Sequence, residues 1–254
     1  MKKIMYLGTA GWGENISKIE AFSVIEEFYS KGFHLIDSAS NYPINGKKED
    51  FGLANSWLIE WIRSVDCSQT KVFVKIGSVD NTGGDRTDLS AQKVREEICR
   101  LQDDLGNNLY GVGIHWDNRV DPQQIFDTLL TIQAVCPKNY QLGISGVKFP
   151  SIYKQSLTVG TDWEIQIKNY PGNETAIEKY LEHFPINPFI AYGLKHFLKQ
   201  EVLRGESEKS KKYLQGIRYY LNNNHLSGFI VSPRTKQQAE AVLHECLTFK
   251  ADAI

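Results

Sequence analysis

Short apolar runs and amphipathic helical segments alternate along this chain with few interruptions. Runs rich in β-branched and aromatic residues recur at Met5–Leu7, Phe33–Ile36, Val72–Ile76, Leu109–Ile114, Tyr140–Ile144, Trp163–Ile167, Pro188–Tyr192 and Gly228–Val231. Each reads as a strand. Helical patterns fill most of the gaps. Ser17 and Glu20 have the spacing of a capping box, with Phe22, Ile25, Phe28 and Tyr29 on one face and Gly32 as the stop. Ser90 caps a second helix whose stripe is Val94, Ile98, Leu101 and Leu105, ending at Gly106. Asp121-Pro122 opens a third, since proline is pre-organised for the first helical position. Further helices are expected over Glu49–Arg63, Glu174–His183, Ser207–Leu221 and Lys236–Leu247, and a single turn over Pro150–Leu157.

Strands joined by helical crossovers run parallel, and such a sheet either closes into a barrel or stays open and doubly wound. Eight βα units favour the closed (β/α)8 TIM barrel, and 254 residues suit that fold. With no Gly/Pro/Ser-rich linker or shift in composition, residues 1–254 read as one domain. Gly8-Thr9-Ala10-Gly11-Trp12-Gly13 has the wrong spacing for a dinucleotide-binding G-x-G-x-x-G and reads as a tight turn at the barrel mouth. Hydrophobic residues at 41% supply enough apolar area to fold. With 29 Lys+Arg against 30 Asp+Glu, no electrostatic footprint for nucleic acid is present. No apolar run approaches the roughly 20 residues of a membrane span, and Lys2-Lys3 is not followed by a signal-peptide core. Cys67, Cys99, Cys136 and Cys246 form no Cys-x-x-Cys pair, which argues against a disulfide framework or a zinc knuckle and for the cytoplasm. A monomer is the default expectation.

In a barrel of this kind the site lies at the carboxyl ends of the strands. Asp37 follows the second strand, with Tyr42 five residues on; Lys75 ends the third and His115 the fourth. Ser145, Gln166, Tyr192 and the pair Ser232 and Arg234 follow the fifth to eighth. Each alone has an ordinary explanation: a snorkelling lysine, a turn aspartate, a packing tyrosine, a satisfied core histidine. Lys75 is the most telling, because it interrupts Val72-Phe73-Val74-Lys75-Ile76, where an unpaired ammonium is costly, and Asp37 sits on the neighbouring strand to pair with it.

These residues carry a resemblance to the aldo-keto reductase family. They are Leu35-Ile36-Asp37-Ser38-Ala39-Ser40-Asn41-Tyr42, then Val72-Phe73-Val74-Lys75, then Gly113-Ile114-His115-Trp116. Glu49-Asp50-Phe51-Gly52 is similar to the family's Glu-x-x-Gly helix opening. Ser232-Pro233-Arg234-Thr235 with Gln238 resembles its segment for the adenosine end of the cofactor. The similarity runs from about residue 6 to 245. It implies a carbonyl reductase, acting on an aldehyde or ketone that includes sugar-derived ones, in which Tyr42 is the general acid. Lys75 and Asp37 would tune Tyr42, lowering its pKa, and His115 would orient the carbonyl. No side chain donates hydride, so a nicotinamide cofactor is implied. Its carboxamide would meet Ser145 and Gln166, and its ring would stack on Tyr192. The Arg234 fork suits the 2′-phosphate of NADP(H), with NAD(H) left open.

The sequence also departs from the family pattern. Gly146 stands where an asparagine often follows the serine, Ala241-Val242 replaces a common Glu-Asn pair, and the seventh-strand loop reads Tyr192-Gly193-Leu194-Lys195-His196 in place of Ser-Pro-Leu. The chain ends at Ile254, from which a shortened C-terminal region and an open site are expected. Two other readings stand beside the reductase. One is a lyase or aldolase using Lys75 as a Schiff-base nucleophile, which leaves Tyr42 and Arg234 unexplained. The other is a non-catalytic, regulatory protein that binds a nicotinamide nucleotide.

Overall fold

A computed structural model describes residues 3–65, 67–84, 86–155, 162–199 and 205–249. Eight parallel strands close on themselves in chain order: β1 (Ile4–Gly8), β2 (Leu35–Ala39), β3 (Lys71–Ile76), β4 (Leu109–His115), β5 (Gln141–Ser145), β6 (Glu164–Lys168), β7 (Phe189–Tyr192) and β8 (Gly228–Val231). The ring is sealed by β8 against β1, with Ile4 opposite Gly228 and Leu7 opposite Val231. Outside it lie α1 (Lys18–Ser30), α2 (Leu53–Ser64), α3 (Ala91–Leu105), α4 (Pro122–Val135), α5 (Pro150–Gln155), α6 (Glu178–Leu181), α7 (Leu194–Leu198), α8 (Gly205–Asn222) and α9 (Lys236–Thr248). This is the (β/α)8 barrel that the alternation predicts.

The helix signals explain themselves locally. Ser17 caps α1 through a full capping box with Glu20, a contribution of about 1 kcal/mol. Ser90 and Asp121 cap α3 and α4, the latter with Pro122 in the first turn. Their apolar stripes are buried against the strands: Ile25 and Phe28 of α1, Val94, Ile98 and Leu101 of α3, Ile125, Leu129 and Ile132 of α4.

Three expectations need correction. The helix expected from Glu49 is interrupted, with a 3₁₀ turn at Lys48–Asp50 and α2 starting only at Leu53. Gly52 between them takes a left-handed φ of 79°, which ends one turn and starts the next. The helix expected over Glu174–His183 is a 3₁₀ turn at Glu174–Ala176 followed by the four-residue α6. Over Pro150–Leu157 a six-residue helix replaces the single turn, and the last two positions lie outside the described residues, as does Ile254.

The register matters most for function. Ala39 lies opposite Lys75, and Lys75 opposite Gly113, while His115, Ser145 and Gln166 form one row across β4, β5 and β6. These polar side chains therefore reach one end of the barrel. Beneath them the interior is filled by Tyr6, Phe73, Ile190 and Ile230. A hydrophobic layer between the strands and the helices surrounds both.

Candidate active site

A cavity of about 770 Å³ opens at the carboxyl ends of the strands. Its lining includes all ten residues singled out from the sequence: Asp37, Tyr42, Lys75, His115, Ser145, Gln166, Tyr192, Ser232, Arg234 and Gln238. They divide into a buried floor and an exposed rim.

On the floor, Lys75 is only 2% exposed and its ammonium is hydrogen-bonded to Asp37 Oδ2. A lone ammonium at that depth is very unfavourable, so the partner is what makes the position tolerable. Burial lowers the Lys75 pKa against the opposing pull of Asp37. Lys75 Nζ also lies over the Tyr42 ring, 5.1 Å from its centroid. The loop bearing Tyr42 is fastened at several points. Ser40 N–H donates to Lys75 O at 2.9 Å, Asn41 Nδ2 to Asp80 O at 2.9 Å, and Ala54 N–H at the start of α2 to Tyr42 O at 3.1 Å. That last bond satisfies a helix-start donor and fixes the tyrosine backbone together.

Burial, reinforced by the Asp37 carboxylate, holds the Tyr42 phenol well above its ordinary value. Sequence reasoning expects Lys75 to lower it. The opposite direction holds because burial dominates and the ammonium is directed at Asp37. His115 meets Tyr42 edge-on at 5.7 Å between ring centroids. Burial and the nearby Lys75 charge hold its imidazole well below its ordinary value, so it is neutral at pH 7. Its Nδ1 lies 3.4 Å from Ser78 Oγ, which leaves the other ring nitrogen to the cavity.

Trp116, which no sequence argument assigned, stacks on His115 at 4.0 Å with a φ of 57°. This conformation is unusual for a tryptophan and is held from both sides. Trp116 N–H donates to Ser145 O at 2.9 Å. The next residue, Asp117, is buried and accepts from Arg119 Nη2 at 2.8 Å and from Tyr153 Oη at 2.5 Å. The stacked indole also accounts for Gly146. A Cβ there would lie 2.6 Å from Trp116 Cδ1, and the backbone has φ +66°, so the asparagine common in the family meets the indole in this chain.

Gln166 lies across the floor, donating from Nε2 to Asp37 Oδ1 at 2.8 Å and to Glu164 Oε1 at 3.0 Å. Its Oε1 is buried and has no hydrogen-bond partner among the described residues. Ser145 is hydrogen-bonded with Tyr192.

The rim is built from other material. Arg234 is exposed beyond β8, and its backbone N–H donates to Gln238 Oε1 at 2.9 Å, which occupies the oxygen of one expected cofactor contact. Ser232 N–H donates to Tyr213 Oη on α8 at 3.0 Å. Four lysines complete the rim: Lys168 ends β6, Lys195 lies on α7 and Lys199 directly follows it, and Lys209 lies on α8. The sequence argument missed these four and Tyr213. Among the described residues lining the cavity, six are Lys or Arg and Asp37 is the single carboxylate. In a chain whose net charge is −1, that concentration creates a field for an anionic ligand. No group of three or more metal-ligating side chains occurs among the described residues, and no helix there is long and apolar enough to cross a membrane.

Comparison with known proteins adds an independent line. Protein tas from Escherichia coli (strain K12) and Protein tas from Shigella flexneri are each 30% identical to the chain over 122 residues, 44% of this chain and 34% of theirs. The chain thus matches about a third of the length of these relatives. The crystal structure of PA4992 from Pseudomonas aeruginosa, a protein assigned to the aldo-keto reductases, superposes with a TM-score of 0.64 at 17% identity, over 96% of this chain and 90% of that one. A second structure from that organism with the same assignment gives 0.62 at 18%, over 96% and 89%. These two share the barrel. The sequence profile of the Aldo/keto reductase family matches residues 4–143, more than half of the chain and the part that holds β1 to β4 with Asp37, Tyr42, Lys75 and His115. On that match the chain belongs to the aldo/keto reductase family.

Proposed function

We propose that the protein is an NADP(H)-dependent carbonyl reductase that converts a small aldehyde or ketone to the alcohol. The observation that carries this reading is the convergence of Asp37, Tyr42, Lys75 and His115 on the floor of one cavity whose rim is cationic. The residues fit a nicotinamide dinucleotide. Gln166 presents a buried acceptor oxygen with no partner among the described residues, suited to a carboxamide N–H. Ser145 stands beside it, Tyr192 offers an aromatic face, and Ser232, Arg234, Gln238 and the rim lysines supply donors and charge for phosphates. When bound, the nicotinamide supplies the hydride that no side chain can.

The remaining steps belong to the chain. His115, neutral, donates a hydrogen bond to the substrate carbonyl oxygen and polarises it. As negative charge develops on that oxygen, Tyr42 gives it the phenolic proton. The phenol's raised pKa keeps that proton in place until then. Lys75 offsets the charge left on Tyr42, and Asp37 keeps Lys75 protonated and aimed. The Schiff-base alternative asks Lys75 for a free amine, whereas its nitrogen is engaged with Asp37.

Fluorescence titration with NADPH and NADH, followed by turnover of aldehydes, ketones and sugars, tests the reading. We expect tighter binding of NADPH and consumption of reduced cofactor with at least one carbonyl. A borohydride-trapped adduct at Lys75, or no binding of either nucleotide, would overturn it.

A further inference from the structure

Below the proposed catalytic residues lies a second buried carboxylate that the mechanism does not use. Glu164, at the start of β6, is 2% exposed inside the barrel. Tyr6 Oη donates to its Oε2 at 2.7 Å, and Gln166 Nε2 to its Oε1 at 3.0 Å. The same Gln166 nitrogen donates to Asp37 Oδ1, while Asp37 Oδ2 holds Lys75. A polar chain therefore crosses the barrel from Tyr6 through Glu164, Gln166 and Asp37 to Lys75, beside Tyr42. In an interior otherwise filled by Phe73, Ile190 and Ile230, an acid is an expensive choice where a hydrocarbon would pack.

We propose that Glu164 is a positioning residue: through Gln166 it orients Asp37, and its protonation sets how much of the Lys75 charge is left to serve Tyr42. This rests on the carbonyl-reductase reading above. With Glu164 ionised, two carboxylates face one ammonium, and the cluster beneath Tyr42 carries a net negative charge. With Glu164 protonated the cluster is neutral. Proton donation leaves negative charge on Tyr42, so carbonyl reduction is faster with Glu164 protonated.

The groups facing Glu164 are Tyr6 from β1, Asp37 from β2, Lys75 from β3 and Tyr110 from β4. The neighbouring Gly143 of β5, Ile190 of β7 and Ile230 of β8 carry no charge. Burial lifts the Glu164 carboxyl to about 7; Gln166, Tyr6 and Lys75 pull it down, and Asp37 pushes it up. His115, held well below its ordinary value, is uncharged across that range, so the comparison with Glu164→Gln decides whether a titration near neutrality belongs to Glu164.

The test compares pH profiles of kcat/KM for carbonyl reduction in the wild type, Glu164→Gln and Glu164→Asp. In the wild type we expect a fall of about fivefold as pH rises through neutrality. Glu164→Gln stays at the acid-side level throughout, and Glu164→Asp, which keeps the charge, again falls. A Glu164→Gln profile superimposable on the wild type overturns the proposal. Infrared difference spectra across neutrality give a readout free of turnover. A protonated-carboxyl band disappears on raising the pH in the wild type, is missing in Glu164→Gln, and persists to higher pH in Lys75→Met. A wild type that reduces no carbonyl overturns the proposed function. The infrared titration then decides the coupling separately, and a band unmoved by Lys75→Met overturns it.

Discussion

On the β2–β4 side of the cavity, Asp37, Lys75 and His115 are almost wholly buried and project from strands. On the β7–β8 side, Lys195, Lys199, Lys209 and Arg234 are exposed and stand on the outer helices α7 and α8 or in the loops beside them. The difference in material matches a difference in task. A buried ion pair such as Lys75–Asp37 adds little net stability but holds charge in one place with no reorganisation, which suits chemistry. Exposed cations fix no geometry closely, yet they attract an anion and are cheap to maintain. Floor substitutions should therefore act on turnover, and rim substitutions on nucleotide binding.

The largest expected effect is on the floor. Tyr42→Phe keeps the ring under Lys75 but removes the proton donor, and kcat should drop by about 10³-fold. NADPH binding, read by fluorescence, should stay within about twofold, because the rim is untouched. Comparable losses in kcat and in nucleotide binding would erase the distinction between floor and rim.

Next in size is the stability cost of burying a second acid. The folded-state pKa of Glu164 lies above its ordinary 4.5, at about 7. The folded protein thus holds a proton that the unfolded chain releases, and stability falls as pH rises through that window, levelling above it. Glu164→Gln removes this penalty. It should be more stable than the wild type by about 3 kcal/mol above the window, with no such gain below it. Urea denaturation at both pH values checks this, and an equal offset at each would count against it.

Rim substitutions come third. Arg234→Ala and Lys195→Ala should each weaken NADPH binding about tenfold with kcat nearly unchanged. Arg234→Ala should also narrow the margin over NADH, and added salt should weaken the wild type more than either variant. The smallest effect concerns Gly146. Gly146→Asn places a side chain against Trp116 and should lower stability by about 1 kcal/mol, an amount that Trp116→Ala in the same chain recovers. Failure of the second change to rescue the first would show that the indole does not occupy that space.

The two regions were also unequally legible in the sequence. Strand residues follow a period of two, so Asp37, Lys75 and His115 stand out as polar side chains at the ends of apolar runs. Lys75 in particular has apolar neighbours on both sides. Glu164 belongs to the same period, two residues before Gln166, but sits at the start of its strand, away from the carboxyl ends where a barrel site is sought. The rim lysines carry no such mark. Lys195 and Lys199 look like any solvent-facing pair until the chain closes and α7 is brought to the cavity. Gly146 was visible as a departure from the family pattern, and its cause, the ring of Trp116 from another strand end, belongs to tertiary packing. The direction of the Tyr42 pKa likewise depends on burial depth, which residue type alone does not report.

The central claim is that Tyr42 delivers a proton to a carbonyl oxygen while a nicotinamide held on this rim reduces the carbon. The most direct measurement uses NADPH carrying deuterium on the transferred position, incubated with the wild type and with Tyr42→Phe over a panel of carbonyls, with the alcohols analysed by mass spectrometry. The account predicts one deuterium at the former carbonyl carbon with the wild type and almost no product with the variant. Alcohol formed at similar rates by both, or unlabelled alcohol from the wild type, would contradict it.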